Sequence, residues 1–353
     1  MGSREENTLN NDGQNNDGQN KADGMSMIVV MGVTGSGKSY LINRLAGRQV
    51  VAEGGTLDSC TQDCQMVPAN IGNSKVMLID TPGFDDPDRP DADILSDIAR
   101  VLAAQYSVGF ELKGIIYIHR ITDVRYAGSS IKTFEIFKRI CGEEALKNAL
   151  LVTSRWNEVD EATGADRERE LRERIWAYML GHGSCMSRFH GDRSSAVTLA
   201  SQLLIKDPVV LRLQHEMIDE GKNLNDTTAG SFVDDGLEKL REEYLGKIEA
   251  LENLKGELKE SDRAMKRQMQ AEWERERAWL RKTEEQQGSL RRDVYEEVRS
   301  EMQDKTETKP RGLKRLIPLI PVSLNLLSMF VGIAPGSIEL LSEWFSDITS
   351  FEG

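Results

Sequence analysis

The chain has 353 residues, which is long enough for one or two domains with buried cores. Its formal net charge is -13, so a general affinity for nucleic acid, which needs a basic face, is not expected. The four cysteines lack metal-binding spacing, and we interpret them as reduced thiols of a cytosolic protein.

Residues 1–24 are predicted to be disordered, because the repeat "NNDGQNNDGQN" offers almost nothing apolar to bury. From residue 25 to residue 220, apolar strand patterns alternate with amphipathic helix patterns. The strand patterns are "SMIVVMG", "CQMVPA", "KVMLID", "GIIYIH", "ALLVTS" and "CMSRFH". This alternation predicts an α/β domain whose mostly parallel sheet carries helices on both faces. Such sheets bind ligands at the carboxyl ends of their strands.

The remaining chain changes character twice. After a predicted linker at 221–236, residues 237–308 are rich in Glu, Lys, Arg and Leu, with apolar residues at three- and four-residue steps. A long helix, a coiled coil and a helical hairpin all fit this pattern. A coiled coil and a helix folded back on the first domain both stay open.

The last segment, 309–353, carries no charge from Leu316 to Ile338 and follows a basic cluster at 309–315. This length can cross a bilayer, and the basic cluster would suit an anionic membrane surface. Pro318, Pro321 and Pro335 nevertheless interrupt any helix. A tail that contacts a membrane through 309–345 and an apolar hairpin packed on protein therefore both stay open.

A phosphate-binding loop is the strongest motif. "GVTGSGKSY", at residues 32–40, fits G-x-x-x-x-G-K-[ST] and lies between a strand pattern and a helix pattern. Backbone N–H groups of such a loop face phosphates. Lys38 would reach the β- and γ-phosphates, so we also count it as catalytic, and Ser39 would bind Mg²⁺. The loop residues predicted to bind the nucleotide are Gly32, Thr34, Gly35, Ser36, Gly37, Lys38, Ser39 and Tyr40.

Two later motifs fit the same chemistry. In "IDTPGFDD", Asp80 ends an apolar strand, where a carboxylate beside the metal belongs, and Gly83 would give its N–H to the γ-phosphate. In "SCTQDCQ", Thr61 lies between the first helix and the second strand. It could bind Mg²⁺ and the γ-phosphate only in the triphosphate state, which would make it a catalytic sensor residue. The predicted metal ligands are therefore Ser39, Thr61 and Asp80.

In this order, "GVTGSGKS", "SCTQDCQ", "IDTPGFDD" and "VRYAGSSIKTFEIFKRICG" resemble the septin-related GTPases of the immunity-associated and avirulence-induced group, especially its fungal members. The resemblance covers about residues 27–204. It implies a Ras-like P-loop G domain that binds GTP or GDP with Mg²⁺ and dimerises across its nucleotide face. It further implies slow hydrolysis and a C-terminal extension that is helical or membrane-anchoring.

The chain departs from this group at the base-binding motif N/T-K-x-D, in which the Asp accepts hydrogen bonds from guanine. The corresponding stretch is "VTSRWNEVD". We align Thr153 with the first position, Arg155 with a residue that could stack on the base, and Trp156 with the Asp position. The residues that could replace the Asp are Asn157, Glu158 and Asp160. Guanine is favoured over adenine by the resemblance and not by this motif.

A second candidate base contact lies in "SSAV". Ser195 and Ala196 could form a turn in which Ala196 gives a backbone N–H to the base, and an ordinary helix start explains them equally well.

The catalytic machinery is also incomplete. Ras-type enzymes carry a Gln just after D-x-x-G to orient water, and Phe84 occupies that place. Intrinsic hydrolysis should therefore be slow. Arg125, in the loop after "GIIYIH", is our candidate for a catalytic guanidinium, because in the resembled group a matching Arg can enter the partner's site. A surface Arg paired with Asp123 is the alternative.

Three functions fit these features. The first is a GTP-hydrolysing switch that works as a homodimer through the nucleotide face. The second is a nucleotide-stabilised scaffold with negligible turnover, which coiled-coil self-association could extend. The third is an ATP-using P-loop enzyme, and its only support is Trp156 at the position where guanine-binding proteins carry Asp. The expected location is the cytosol, either free or attached peripherally or by the tail to an intracellular membrane, with no nucleic-acid partner.

Overall fold

The computed structural model describes residues 25–53, 63–86, 89–124, 126, 128–257, 263–307 and 322–349. The strands within these ranges are β1 (Ser26–Met31), β2 (Gln65–Ile71), β3 (Ser74–Asp80), β4 (Glu111–Arg120), β5 (Ala149–Ser154), β6 (Cys185–Arg188) and β7 (Gly332–Ile333). The helices of the first domain are α1 (Lys38–Ala46), α2 (Asp91–Val108), α3 (Gly128–Cys141), α4 (Glu161–Glu170), α5 (Ala177–Gly181), α6 (Arg193–Leu204) and α7 (Arg212–Gln214). Those of the extension are α8 (Thr228–Glu257), α9 (Arg263–Leu290), α10 (Val294–Glu307), α11 (Val322–Leu327) and α12 (Ile338–Thr349).

The described strands form one sheet in the order β6-β5-β4-β1-β3-β2-β7. Strand β2 runs antiparallel to β3, and the other neighbouring strands are parallel. A parallel sheet with one antiparallel strand after the first helix is the Ras-like arrangement. The predicted α/β class, with a Ras-like P-loop G domain, is therefore confirmed.

Both faces of the sheet are buried. Along β1, Met27 and Val29 join the apolar cluster that includes α2 and α3, whereas Ile28 and Val30 join the cluster that includes α1 and α6. Successive side chains of a strand point to opposite faces, so a strand buried on both faces needs a continuous apolar run. The run "MIVVM" in the sequence meets this need.

Helices α8 and α9 form an antiparallel hairpin. Its cross-helix contacts pair residues in reverse order: Gln287 donates to Glu238, Arg241 lies 3.7 Å from Glu284, and Trp273 donates to Glu252. The hairpin base is anchored on the G domain, since Ser289 donates to Asp93 of α2. Within the described residues, α8 and α9 thus fold back on each other as a helical hairpin whose base packs on the first domain.

The predicted linker at 221–236 is wrong over its second half, because α8 already begins at Thr228. Ala229, Val233 and Leu237 recur at four-residue steps and are buried in the core cluster beside α3. The residues between them are mostly Gly, Ser and Asp, so the composition of this segment resembles that of a linker. The apolar positions are recognised as one buried stripe only when they are placed on a helix that faces another helix.

The described part of the tail packs on the G domain. Strand β7 adds to the outer edge of β2, where the N–H of Gly332 donates to the carbonyl of Cys64. Leu324, Leu327 and Trp344 belong to the same core cluster as α2. The basic cluster at 309–315 lies outside the described residues. None of the helices within the described ranges is both long and apolar enough to span a bilayer.

Candidate functional site

The loop between β1 and α1 wraps tightly under the ends of the parallel strands. A Cβ on Gly32 would lie 2.3 Å from the carbonyl oxygen of Ile118 in β4, so only glycine fits this position. The loop ends at the first residue of α1, Lys38. Its backbone N–H groups therefore gather at a helix N-terminus, which favours negatively charged ligands.

Lys38 points back into this loop. Its buried ammonium donates to the carbonyl oxygens of Gly32 (3.3 Å) and Val33 (3.1 Å). Burial away from water lowers the pKa of Lys38 to about 8, while the nearby carboxylates of Asp80 and Asp86 act in the opposite direction. A buried, still cationic ammonium among carbonyl oxygens is suited to a multiply charged anion.

Ser39 and Asp80 meet at the metal side of the site. The hydroxyl of Ser39, in the first turn of α1, donates to a carboxylate oxygen of Asp80 at the end of β3 (2.7 Å). Among the described residues, no three His, Cys, Asp or Glu side chains form a metal cluster. One hydroxyl and one carboxylate nevertheless suit Mg²⁺, which keeps several waters and takes its other ligands from phosphates.

The "DTPGF" segment rests directly on the loop. Thr34 donates from its backbone N–H to Phe84 O (3.1 Å) and from its hydroxyl to Gly83 O (3.3 Å). A Cβ on Gly83 would come within 2.4 Å of the Thr34 hydroxyl, so this approach also requires glycine. The ring of Phe84 is fully buried in the core, away from the loop surface. Of the other predicted residues around this site, Thr61 and Arg125 lie outside the described residues.

Two side chains at the end of β5 brace the loop from the opposite side. The hydroxyl of Ser154 donates to Ser36 O (2.7 Å), and the guanidinium of Arg155 donates to Gly35 O (3.2 Å). Arg155 adopts a left-handed backbone with φ of 62°. Such strain in a residue other than glycine is typical of functional turns. Sequence reasoning missed Ser154, although its place immediately before Arg155 in a strand-end motif was the available signal.

The structure corrects the alignment of this motif. Thr153 does not reach the loop; its hydroxyl accepts a hydrogen bond from the indole N–H of Trp156 (3.0 Å). Trp156 is 8% exposed, and its ring contacts Gly164 and lies under the guanidinium of Arg188 at 3.8 Å. Trp156 is therefore packed into the protein in this structure, and its contact with the base stays a prediction. The loop-bracing positions belong to Ser154 and Arg155, one residue later than the sequence alignment had them.

Ser195 and Ala196, which the sequence predicts as a possible base contact, lie at the start of α6. Both N–H groups cap the start of α6: that of Ser195 donates to the side chain of Asp192 (2.7 Å), and that of Ala196 donates to Asp192 O (3.2 Å). The helix-start interpretation is the one the geometry supports. Tyr40, which the loop motif predicts to bind the nucleotide, donates a hydrogen bond from its phenol hydroxyl to Gly191 O in the loop before α6 (3.0 Å).

Arg120 is a site residue that the sequence analysis did not single out. Its guanidinium lies 3.3 Å from where a Cβ of Gly35 would be, and its charge contributes to lowering the pKa of Lys38. It pairs with Asp123 (3.0 Å). A charged residue directly after the apolar run of β4 was the available signal. Its neighbour His119 is buried, which lowers the pKa of the imidazole to about 4, so this side chain is neutral at neutral pH.

We expect the hydrogen bond from Ser154 to the phosphate loop to stabilise the fold. Ser154→Ala should lower the free energy of unfolding by about 1–3 kcal/mol, because the buried Ser36 carbonyl loses its donor. Denaturant unfolding of the full chain measures this change. Ser194→Ala, at the exposed start of α6, is the matched control and should stay within about 0.5 kcal/mol of wild type. Equal values for the two variants would show that the brace contributes nothing.

The sheet order, the phosphate loop and the Ser39–Asp80 contact together define a P-loop G domain. Within this class, residues 26–167 match the AIG1 family. The resemblance to immunity-associated GTPases is thereby confirmed, and the closer likeness to fungal members stays a prediction.

Individual relatives cover only part of the chain or resemble it weakly. GTP-binding protein A of Dictyostelium discoideum is 25% identical over 132 residues, which are 37% of this chain and 28% of that protein. The chain thus spans little more than a quarter of that relative's length. Among solved structures, Arabidopsis thaliana Toc33 in complex with Mg²⁺ and GMPPNP is 19% identical, covers 53% of this chain and 88% of its own, and has a TM-score of 0.40. A variant of Aquifex aeolicus Era bound to GDP.AlF4- is 16% identical, covers 52% of this chain and 57% of its own, and has a TM-score of 0.36.

Proposed function

We propose that the protein binds GTP with Mg²⁺, hydrolyses it slowly, and acts as a nucleotide-dependent switch that dimerises across its nucleotide face. The observation that carries the proposal is the hydrogen bond between Ser39 and Asp80 beside the buried ammonium of Lys38. These are the side chains that a Mg²⁺-bound triphosphate requires at the ends of β1 and β3. The name of the Dictyostelium relative, a GTP-binding protein, supports guanine.

The residues have distinct roles in this proposal. Lys38 and the loop N–H groups would hold the β- and γ-phosphates, and Ser39, Asp80 and Thr61 would face the metal. When bound, Mg²⁺ would supply charge neutralisation at the phosphates. Gly83 would sense the γ-phosphate. Because Gly83 and Phe84 are already hydrogen-bonded to Thr34 of the loop, a ligand seated on the loop would act directly on this segment.

Slow turnover follows from Phe84. A buried phenyl ring has no donor or acceptor with which to orient an attacking water. A second group is therefore needed, and Arg125 from the partner protomer is the proposed one. A guanidinium supplied in trans accelerates GTPases generally by ~10³–10⁵.

Single-turnover hydrolysis measured against protein concentration tests the switch. The specific rate should rise steeply with concentration, and Arg125→Ala should lower the rate at high concentration by about 100-fold or more. The control is Arg169→Ala, an exposed arginine of α4 that pairs with Asp166. A rate near zero at every concentration, with nucleotide binding intact, would instead support the scaffold function. Identification of the co-purified nucleotide by chromatography separates both from an ATP-using enzyme.

Coiled-coil self-association and membrane contact through 309–345 stay predictions. Packing of Trp344 into the core opposes constant membrane insertion of α12. Membrane contact would therefore require the tail to leave the G domain.

A further inference from the structure

The contacts on the phosphate loop bear on the register of the base-binding motif. Ser154 and Arg155 are the side chains at the end of β5 that donate to the phosphate loop, to Ser36 O and Gly35 O, and we therefore assign them to the first two positions of N/T-K-x-D. The fourth position, two residues after Arg155, is Asn157. This assignment rests on through-space contacts and differs by one residue from the assignment that sequence letters alone favour.

The neighbours of Asn157 are engaged elsewhere. Trp156 is buried with its N–H on Thr153, and the carboxylate of Glu158 pairs with Arg155 (2.9 Å). The carboxylate of Asp160 caps α4 by accepting from the N–H of Thr163 (2.9 Å). Asn157 is exposed in the same short turn, at the carboxyl end of β5. It is the polar side chain of this turn that remains for a ligand.

An amide cannot make the contacts of a carboxylate. Ionised Asp only accepts, which matches the two donors of guanine, the N1–H and the 2-amino group. Asn has one acceptor oxygen and one donor NH₂. It matches a base edge that presents N1–H beside a C2 carbonyl, as xanthine does. Against guanine, the amide NH₂ would meet the 2-amino group, donor against donor, and one hydrogen bond would be lost.

We propose that Asn157 sets the base selectivity of this site, so that the chain prefers a purine nucleotide with a xanthine-type edge to guanine nucleotides. The inference rests on the proposed binding of a Mg²⁺-nucleotide by the phosphate loop. It keeps GTP as a ligand of the site but ranks guanine nucleotides below xanthine nucleotides in affinity. Leaving a donor unpaired in such a contact costs about a factor of ten or more in affinity. Xanthine nucleotides should therefore bind about tenfold more tightly than guanine nucleotides. Hypoxanthine, which lacks a 2-substituent, should fall between the two.

Calorimetric titration of GDP, XDP, IDP and ADP with Mg²⁺ into the full chain tests the proposal. For wild type, XDP should bind about tenfold more tightly than GDP, and ADP should bind weakly. Asn157→Asp should reverse the order, with GDP gaining and XDP losing about tenfold each. Asn70→Asp, which adds the same charge at an exposed position of β2, should leave the order unchanged.

Three results would overturn the inference. Tighter binding of GDP than XDP by wild type would do so, as would an unchanged order in Asn157→Asp. A loss of GDP affinity in Glu158→Gln, without any effect of Asn157→Asp, would assign base recognition to Glu158. Failure of all four diphosphates to bind wild type would instead contradict the proposed function itself, so the two failures are distinguishable.

Discussion

Lys38→Ala is expected to lower the affinity for Mg²⁺-nucleotide by at least about 100-fold. Hydrogen bonds to charged groups contribute roughly 1.5–3 kcal/mol each, and the ammonium would lose such bonds to two phosphates. Titration of a labelled, non-hydrolysable GTP analogue with Mg²⁺ into the full chain measures the affinity. The control is Lys239→Ala, an exposed lysine of α8. Retained binding in Lys38→Ala, with an intact fold by circular dichroism, would overturn the assignment of the phosphate loop.

Burial of Lys38 should make the stability of the nucleotide-free chain depend on pH. Burial lowers the pKa of Lys38 from 10.5 to about 8, so the folded chain binds fewer protons at this group than the unfolded chain between these values. The cost of burying the charge is fully present below pH 8 and is relieved as the pH rises to about 10.5. Lys38→Met removes the charge and should therefore raise the melting temperature relative to wild type most at about pH 7. The difference should shrink by about pH 10, and a difference independent of pH would contradict the buried cation.

Trp344→Ala should release the tail from the G domain and destabilise it by about 3–5 kcal/mol, which is typical for truncation of a buried Trp. Trp344 is 1% exposed in the core cluster, and its carbonyl accepts a hydrogen bond from Lys75 of β3 (2.6 Å). Loss of this anchor should also loosen β7 from the edge of β2. Limited proteolysis and hydrogen exchange over 322–349 measure the release, and thermal unfolding measures the stability.

Trp279→Ala is the matched control for the tail. Trp279 lies on α9 and is 52% exposed, so its truncation removes little buried area. If both variants are cut at the same rate within 322–349, the tail is not anchored by Trp344. Increased binding of Trp344→Ala to anionic vesicles would favour the membrane tail that the sequence leaves open.

Local patterns located the phosphate site from the sequence. The glycine spacing of residues 32–37, the apolar run of β1 and the terminal Asp80 of β3 are each short-range features. Each fixes backbone geometry or chemistry within a few residues of itself, so no knowledge of distant contacts was needed. The alternation of strands and helices likewise predicts a sheet covered on both faces, because period and composition alone specify such elements.

The sequence alone did not determine which residues occupy the positions of the base-binding motif, because contacts with the distant phosphate loop define these positions. Ser154 reaches Ser36, and Arg155 reaches Gly35, over more than a hundred residues of chain. Without these two contacts, Trp156 occupied the expected Asp position, whereas its buried ring packs beneath Arg188. Trp156 and Asn157 lie in a short 3-10 turn after β5, where the first is buried and the second is exposed, so the choice between them depends on tertiary packing.

The sequence by itself predicted a P-loop domain with Lys38, Ser39 and Asp80 at its phosphate loop, since the loop depends on local backbone conformation. Only the tertiary structure decided which side chains brace the loop, that Arg120 lies beside it, and that the apolar tail completes the sheet at β2. The physical reason is the same in each case. The type of a side chain indicates whether it has to be buried or paired. Which residue it then contacts depends on how elements that are distant in the chain pack together.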